Sequence, residues 1–181
     1  MSDETTVQRF SAMAEKHMDA AYNLARWLTR NPQDADDVVQ EAYLRAFRYF
    51  GTFRGDDGRA WLLTIVRNTC YTWLKQNRHG DTDVEYDEAD ASRQGKEDRE
   101  SPLHGTDPQT LLLRAADGER IDAAIRKLPT EFREVLVLRE LEELSYQDIA
   151  GVAGIPIGTV MSRLSRARLH LRRILETMEH P

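Results

Sequence analysis

Cysteine is almost missing from this sequence. One residue in 181, Cys70, carries a thiol, which excludes an intramolecular disulfide and leaves no cysteine cluster for a metal. Its place in an apolar helical run points to a buried structural thiol. No run of about 18 consecutive apolar residues exists, and no signal peptide opens the chain. The expectation is a soluble, cytoplasmic protein without membrane insertion. Paired His/Cys ligands, clustered carboxylates and an activated nucleophile are also missing, so the chain is not expected to be an enzyme or to hold a metal or cofactor. Residues 51–58 are glycine-rich, but the Gly-Lys-Ser/Thr ending of a phosphate-binding loop is lacking. Few segments look β-rich, which leaves an all-α reading.

Excess basic charge is absent too. The net charge is −6, which by itself argues against nucleic acid as a partner. Its distribution removes the objection. Residues 81–100 hold nine acids and three bases, so the remainder of the chain is neutral overall. An electrostatic footprint depends on local patches more than on the total.

What is present is clearest near the end. Ser145 can cap a short helix, with Asp148 three residues on as a weak capping box. Ile149, Ala150 and Ala153 give that helix an apolar stripe. Gly154 then turns left-handed without a steric cost, and Pro156 stands where a second helix begins. Short helix, glycine turn and second helix make a helix-turn-helix, whose second helix can enter a DNA major groove. Along that helix Val160, Leu164, Ala167, Leu171 and Ile174 fall on one inward side. The outer side carries Gly158, Ser162, Ser165, Arg166 and Arg173, flanked by Arg163 and Arg168. Small residues allow close approach, and arginines bind guanine edges or phosphates. Leu169, in the middle of that face, has no account based on DNA. A solvated basic face is the plainer alternative for such a helix.

Earlier in the chain, Phe10, Ala14, Met18, Ala21, Ala25 and Leu28 recur at helical spacing from Val7 onward. His17 beside them suits packing or surface better than a metal. Asn31-Pro32 breaks the helix, and another begins around residues 33–37, where acids suit the helix dipole. Its inner face is Val39, Tyr43, Ala46 and Phe50. Its outer face is Asp37, Gln40, Glu41, Leu44, Arg45 and Arg48, with Leu44 the one hint of a contact. A third helix runs from Trp61 to Lys75. Trp61 and Trp73 are read as mainly structural, while Arg67, Asn68, Tyr71 and Lys75 project elsewhere. Cations beside aromatics fit single-stranded DNA, where bases stack and phosphates pair.

From Gly80 to about Pro108 the chain is acidic and poor in large apolar residues. Such a segment cannot bury enough surface to offset chain entropy. The expected architecture is two small helical domains, residues 1–80 and 111–181, joined by a flexible acidic linker at 81–110. In the second domain, helices are expected over 111–128, ended by Pro129, and over 132–141, with a frayed tail after Met178.

The order of parts resembles the extracytoplasmic-function (ECF) group of bacterial sigma factors in the sigma-70 family. The segments that carry the resemblance are Asp36-Asp-Val-Val-Gln-Glu-Ala, Phe53-Arg-Gly-Asp, Trp61-Leu-Leu-Thr-Ile-Val-Arg-Asn-Thr and Leu128-Pro129. With them go Leu138-Arg-Glu-Leu-Glu-Glu-Leu-Ser-Tyr-Gln-Asp-Ile-Ala and Ile157-Gly-Thr-Val-Met-Ser-Arg-Leu-Ser-Arg-Ala-Arg. The resemblance implies an RNA polymerase sigma factor directing promoter-specific initiation, with core RNA polymerase, promoter DNA and an anti-sigma factor as partners. By resemblance, Asp37, Gln40, Glu41 and Leu44 bind polymerase. The loop carrying Arg54, Asp56 and Arg59, with Arg67, Asn68, Tyr71 and Lys75 on the next helix, takes bases flipped from the −10 strand, a step costing a few kcal/mol. Arg139, Thr159, Ser162, Arg163 and Arg166 touch the −35 element. The acidic linker enters the RNA-exit path. The loop before Trp61 is one residue shorter than the family pattern. Met161 stands where relatives often carry arginine, and Ser165 where a bulky side chain can occur, so a −35 sequence preference does not carry over. One rival is a helix-turn-helix repressor, dimeric on half-sites about 34 Å apart; a second, an enzyme acting on nucleic acid, lacks the catalytic groups it would need.

Overall fold

The computed structural model describes residues 3–77 and 108–180, with side chains described to 77 and from 117. The expected linker at 81–110 lies almost wholly outside the described residues. Among those residues every regular element is helical, and no helix is long and apolar enough to cross a membrane.

The N-terminal half begins with α1 (Asp3–Lys16) and α2 (Met18–Thr29). The sequence pattern had read this stretch as one helix. It is interrupted at His17, whose backbone (φ −112°, ψ 12°) leaves the helical region. The break rotates the two halves out of phase, so Met18, expected on the inner stripe, is exposed. Arg30 ends α2 in a left-handed conformation, φ 61°. Asn31 then caps α3 (Pro32–Tyr49), its Oδ1 accepting from the Gln33 amide at 2.8 Å and the Asp34 amide at 3.3 Å, with Pro32 in the first turn. That cap satisfies amides that no helical carbonyl can reach.

A 3-10 turn (Phe50–Thr52) leads into the loop before α4 (Gly58–Asn77). Asp57 caps α4, its carboxylate accepting from the amides of Arg59 and Ala60. Leu62, Leu63, Val66, Thr69 and Cys70 form the buried side of α4, while Trp61 and Trp73 pack at its margin. Both tryptophans serve packing, as expected.

The C-terminal half has α5 (Pro108–Arg126), α6 (Thr130–Leu136), α7 (Tyr146–Ala153) and α8 (Ile157–Glu179). The helix expected over 132–141 does not stay regular. It widens into a π-helical turn at Val137–Leu141. The extra residue per turn keeps Leu138 buried but puts Leu141 in solvent. Arg133 is buried and reaches back to the end of α5, donating to the carbonyls of Arg126 (3.1 Å) and Leu128 (3.3 Å). A cation there complements the negative end of a helix. α8 stays helical through Glu179, one residue past the point where fraying was expected.

The two halves share a core. Leu24, Leu28, Val66 and Cys70 from the first lie in one apolar cluster with Val135, Leu138, Ile149 and Val152 from the second. A smaller cluster of Ile125, Leu128, Phe132, Leu136 and Ala167 has Trp27 of α2 packed against it. Each half is helical as read, but they are packed face to face.

Candidate nucleic-acid and polymerase interface

Three surfaces carry the residues singled out from the sequence. The first is the outer side of α3. Val38, Ala42 and Ala46 are buried beneath it, which turns Asp37, Gln40, Glu41 and Leu44 outward. Leu44 is 64% exposed, and Arg45 is tied to Glu41 one turn back. A leucine held in water by a rigid helix gains nothing in the isolated chain. It offers apolar area to a partner.

The second surface is the loop before α4 and the side of α4 that follows it. Aromatic packing fixes the loop. Phe50 meets Phe10 edge-on at 5.3 Å between ring centroids, and Phe53 lies 4.9 Å from Trp61. Arg54 folds onto the carbonyls of Gly51 (2.8 Å) and Phe53 (3.1 Å). Asp56 and Arg59 line an open cleft of about 530 Å³ that Glu142, from the other half, closes on one side.

On α4 the exposed Asn68 and Lys75 face solvent, while Arg67 and Tyr71 do not. Arg67 lies over the Tyr71 ring at 3.8 Å. Its Nε donates to Glu134 Oε1 at 2.5 Å, and the Tyr71 hydroxyl donates to Glu134 Oε2 at 2.7 Å. Burial opposes the charge on Arg67, but the Glu134 carboxylate more than offsets it and raises the pKa. Burial and the same carboxylate push the Tyr71 phenol up strongly. Arg59 makes a parallel link, its Nη2 donating to the Glu142 carbonyl at 2.6 Å and to Oε2 at 2.9 Å. Arg30 adds a bond to the Leu128 carbonyl at 3.2 Å.

The third surface is the helix-turn-helix. Ser145 Oγ accepts from the Asp148 amide at 3.1 Å, Gly154 adopts φ 67°, and α8 starts directly after Pro156. Val160, Leu164 and Ala167 are buried, anchoring α8 on the core. Thr159, Ser162, Arg163 and Arg166 are half-exposed along its other sides. Arg139, in the π-turn, donates to the Leu144 carbonyl at 2.9 Å and stacks over Tyr146 at 4.9 Å. Arg168 pairs with Glu140 at 2.9 Å, so the π-turn is held against α8.

With this geometry in hand, comparison with known proteins decides the family. The sigma-70 region 2 model matches residues 13–80, and the sigma-70 region 4 model matches residues 118–171. The ECF RNA polymerase sigma-E factor of Escherichia coli K12 is 34% identical over 182 residues, covering 93% of each chain. This chain belongs to the ECF sigma factors of the sigma-70 family. The RNA polymerase sigma-H factor of Pseudomonas aeruginosa is also 34% identical, over 93% of this chain and 87% of that one. Among solved structures, the sigma factor RpoE in complex with the anti-sigma factor NepR from Bartonella quintana has a TM-score of 0.67 at 25% identity, covering 93% of this chain and 98% of that one. CnrH in complex with the cytosolic domain of CnrY gives 0.63 at 26%, covering 94% and 90%.

In this sigma factor, then, the α3 residues share one exposed face, and Thr159, Ser162, Arg163 and Arg166 share one helix. The residues expected at the −10 element divide. Arg54, Asp56, Asn68 and Lys75 lie at the surface, whereas Arg59, Arg67 and Tyr71 are engaged by the C-terminal half. Sequence reasoning missed the two carboxylates that engage them, Glu134 and Glu142, both buried. One signal was available. Glu134, with Arg133 before it, interrupts the apolar run Phe132 to Leu138, at a position where an unpaired charge would be costly.

Proposed function

We propose that this sigma factor works through two helical domains, residues 1–80 and 111–181, joined by the acidic segment 81–110. The first docks on core RNA polymerase through Asp37, Gln40, Glu41 and Leu44. It takes the −10 strand with Arg54, Asp56, Arg59, Arg67, Asn68, Tyr71 and Lys75. The second reads the −35 element with Arg139, Thr159, Ser162, Arg163 and Arg166. The chain performs no catalysis of its own and acts in the cytoplasm, where polymerase and promoter DNA are. Binding energy on both surfaces supplies the unstacking of the −10 bases. The observation that carries this reading is the exposed face of α3, with Leu44 in water, in a chain that also presents a capped helix-turn-helix.

The packing of the two halves supports control by an anti-sigma factor. Arg59, Arg67 and Tyr71 cannot hold Glu142 and Glu134 and also hold DNA. Promoter engagement therefore requires those pairs to exchange, and a partner that stabilises the packed arrangement keeps the −10 surface covered.

The test is reconstitution. The purified chain is added to sigma-free core polymerase with genomic DNA, and transcript 5′ ends are sequenced. Discrete starts that share two upstream elements are expected. A chain that never joins core polymerase, and that binds a palindromic operator as a dimer, would overturn the proposal.

A further inference from the structure

The first turns of α8 carry two exposed apolar side chains where a groove-reading helix has most use for polar ones. Ile157 is 51% exposed and Met161, one turn later, is 54% exposed. Val160 and Leu164, buried on either side of Met161 in sequence, fix the helix so that Met161 points away from the core. Ser165 continues the same row and is exposed. Beside it lies Gly158, where a side chain would meet no other atom within 4 Å, so the surface there is open to close approach. These residues occupy the first two and a half turns of the second helix of the helix-turn-helix, the part that contacts base edges in this motif.

The edges of the base pairs in the major groove are otherwise donors and acceptors. The one apolar group they offer is the C5-methyl of thymine. An apolar side chain at the centre of a reading surface has that group as its natural partner. We propose that Met161 determines specificity at the −35 element by packing on a thymine methyl, with Ile157 flanking it and excluding water. An unbranched thioether chain suits the task, since it bends to an irregular contact without a fixed rotamer. Gly158 and Ser162, small and adjacent, let α8 sit deep enough for a side chain of Met161's length to reach. The proposal rests on α8 being the −35 reading helix.

Its test replaces thymine by deoxyuridine, which removes the methyl and nothing else. A −35 element is first selected from a promoter library with holoenzyme assembled from this chain and core polymerase. Each thymine of the selected element is then changed to deoxyuridine, and holoenzyme binding is measured. At one or two positions the change is expected to weaken binding about fourfold, the value of one buried methyl at about 0.8 kcal/mol. Met161→Ala holoenzyme is expected to bind thymine and deoxyuridine templates equally at those positions, and Met161→Leu to restore the difference. Because Met161 is at the surface, both variants keep the fold. Arg166→Ala, in contrast, weakens binding to both templates and keeps their ratio. A thymine-to-deoxyuridine ratio unchanged by Met161→Ala overturns the proposal alone, and so does a loss confined to polymerase or anti-sigma binding. Failure of the holoenzyme to initiate at any discrete promoter overturns the sigma reading and this proposal with it.

Discussion

Arg67 and Glu134 stand 67 positions apart in the chain and meet at 2.5 Å, across the boundary between the two halves of the molecule. The Glu134 side chain is fully buried and that of Arg67 is 18% exposed. Their ion pair is an enclosed polar contact between the halves, and Tyr71 completes it from the next turn of α4.

Removing one partner of a buried pair leaves the other charge without compensation. Arg67→Ala is expected to destabilise the packed form by about 3–5 kcal/mol, while replacing both, as in Arg67→Met with Glu134→Leu, recovers most of that loss. A double-mutant cycle in urea melts measures the coupling. If Arg67 and Tyr71 take the −10 strand as proposed, Glu134→Ala frees both, and the affinity for a single-stranded −10 oligonucleotide should rise. Arg67→Ala costing under about 1 kcal/mol would mean that the pair does not hold the halves together.

At the turn of the helix-turn-helix, Gly154 carries φ 67° and its amide donates to the Ala150 carbonyl. A Cβ has open space there, with no atom within 4 Å. Any cost of substitution is therefore conformational, about 1–2 kcal/mol for an L residue in the left-handed region. Gly154→Ala is expected to lower stability by that amount, and Gly154→Asn by less, since asparagine tolerates the conformation. Equal melting temperatures for the three proteins would place the turn elsewhere.

Cys70 is enclosed by the shared core. Burial, with the charge of Glu134 adding to it, pushes its thiol up from 9.0 to about 12. Below pH 9 the thiol is protonated in both folded and unfolded chains, and its contribution to stability is fully present. Between pH 9 and 12 the unfolded chain ionises first, so stability falls by up to about 1.4 kcal/mol per pH unit from this one group. Urea midpoints at pH 8, 9.5 and 11 should converge for wild type and Cys70→Ala, because the variant lacks this loss. Parallel curves would show that Cys70 ionises freely. In the native state at pH 8 the thiol should also resist alkylation.

How much of this was legible beforehand follows from the range of the interactions. Ser145, Gly154 and Pro156 act on their own neighbours, and the helix-turn-helix could be read directly from them. The same holds for Asn31-Pro32 at the start of α3. The break at His17 carries no glycine or proline, so the apolar spacing ran through it and misplaced Met18. The π-turn at Val137–Leu141 is set by packing of Leu138 and by the Arg139 bond to Leu144, neither visible as a local pattern. Least legible were the contacts of Arg59, Arg67 and Tyr71. Their side-chain types suited nucleic acid, but what they touch here is decided by partners 63 to 83 residues away.

Leu44 gives the sharpest separation between docking and folding. It is exposed on the side of α3 opposite the buried Ala35, Val38, Val39, Ala42 and Ala46, so the core does not depend on it. Leu44→Ser should leave the melting temperature within the range of an ordinary surface change, about 0.5 kcal/mol. Lost burial of a leucine against a partner is worth about 1.5–3 kcal/mol, which corresponds to a 10- to 150-fold weaker complex with core polymerase. The two numbers are measured independently, by thermal melts of the free chain and by titration of core enzyme with labelled sigma factor. Unchanged affinity with unchanged stability would remove Leu44 from the proposed polymerase surface. A loss of stability would instead show that the residue is packed in the free chain.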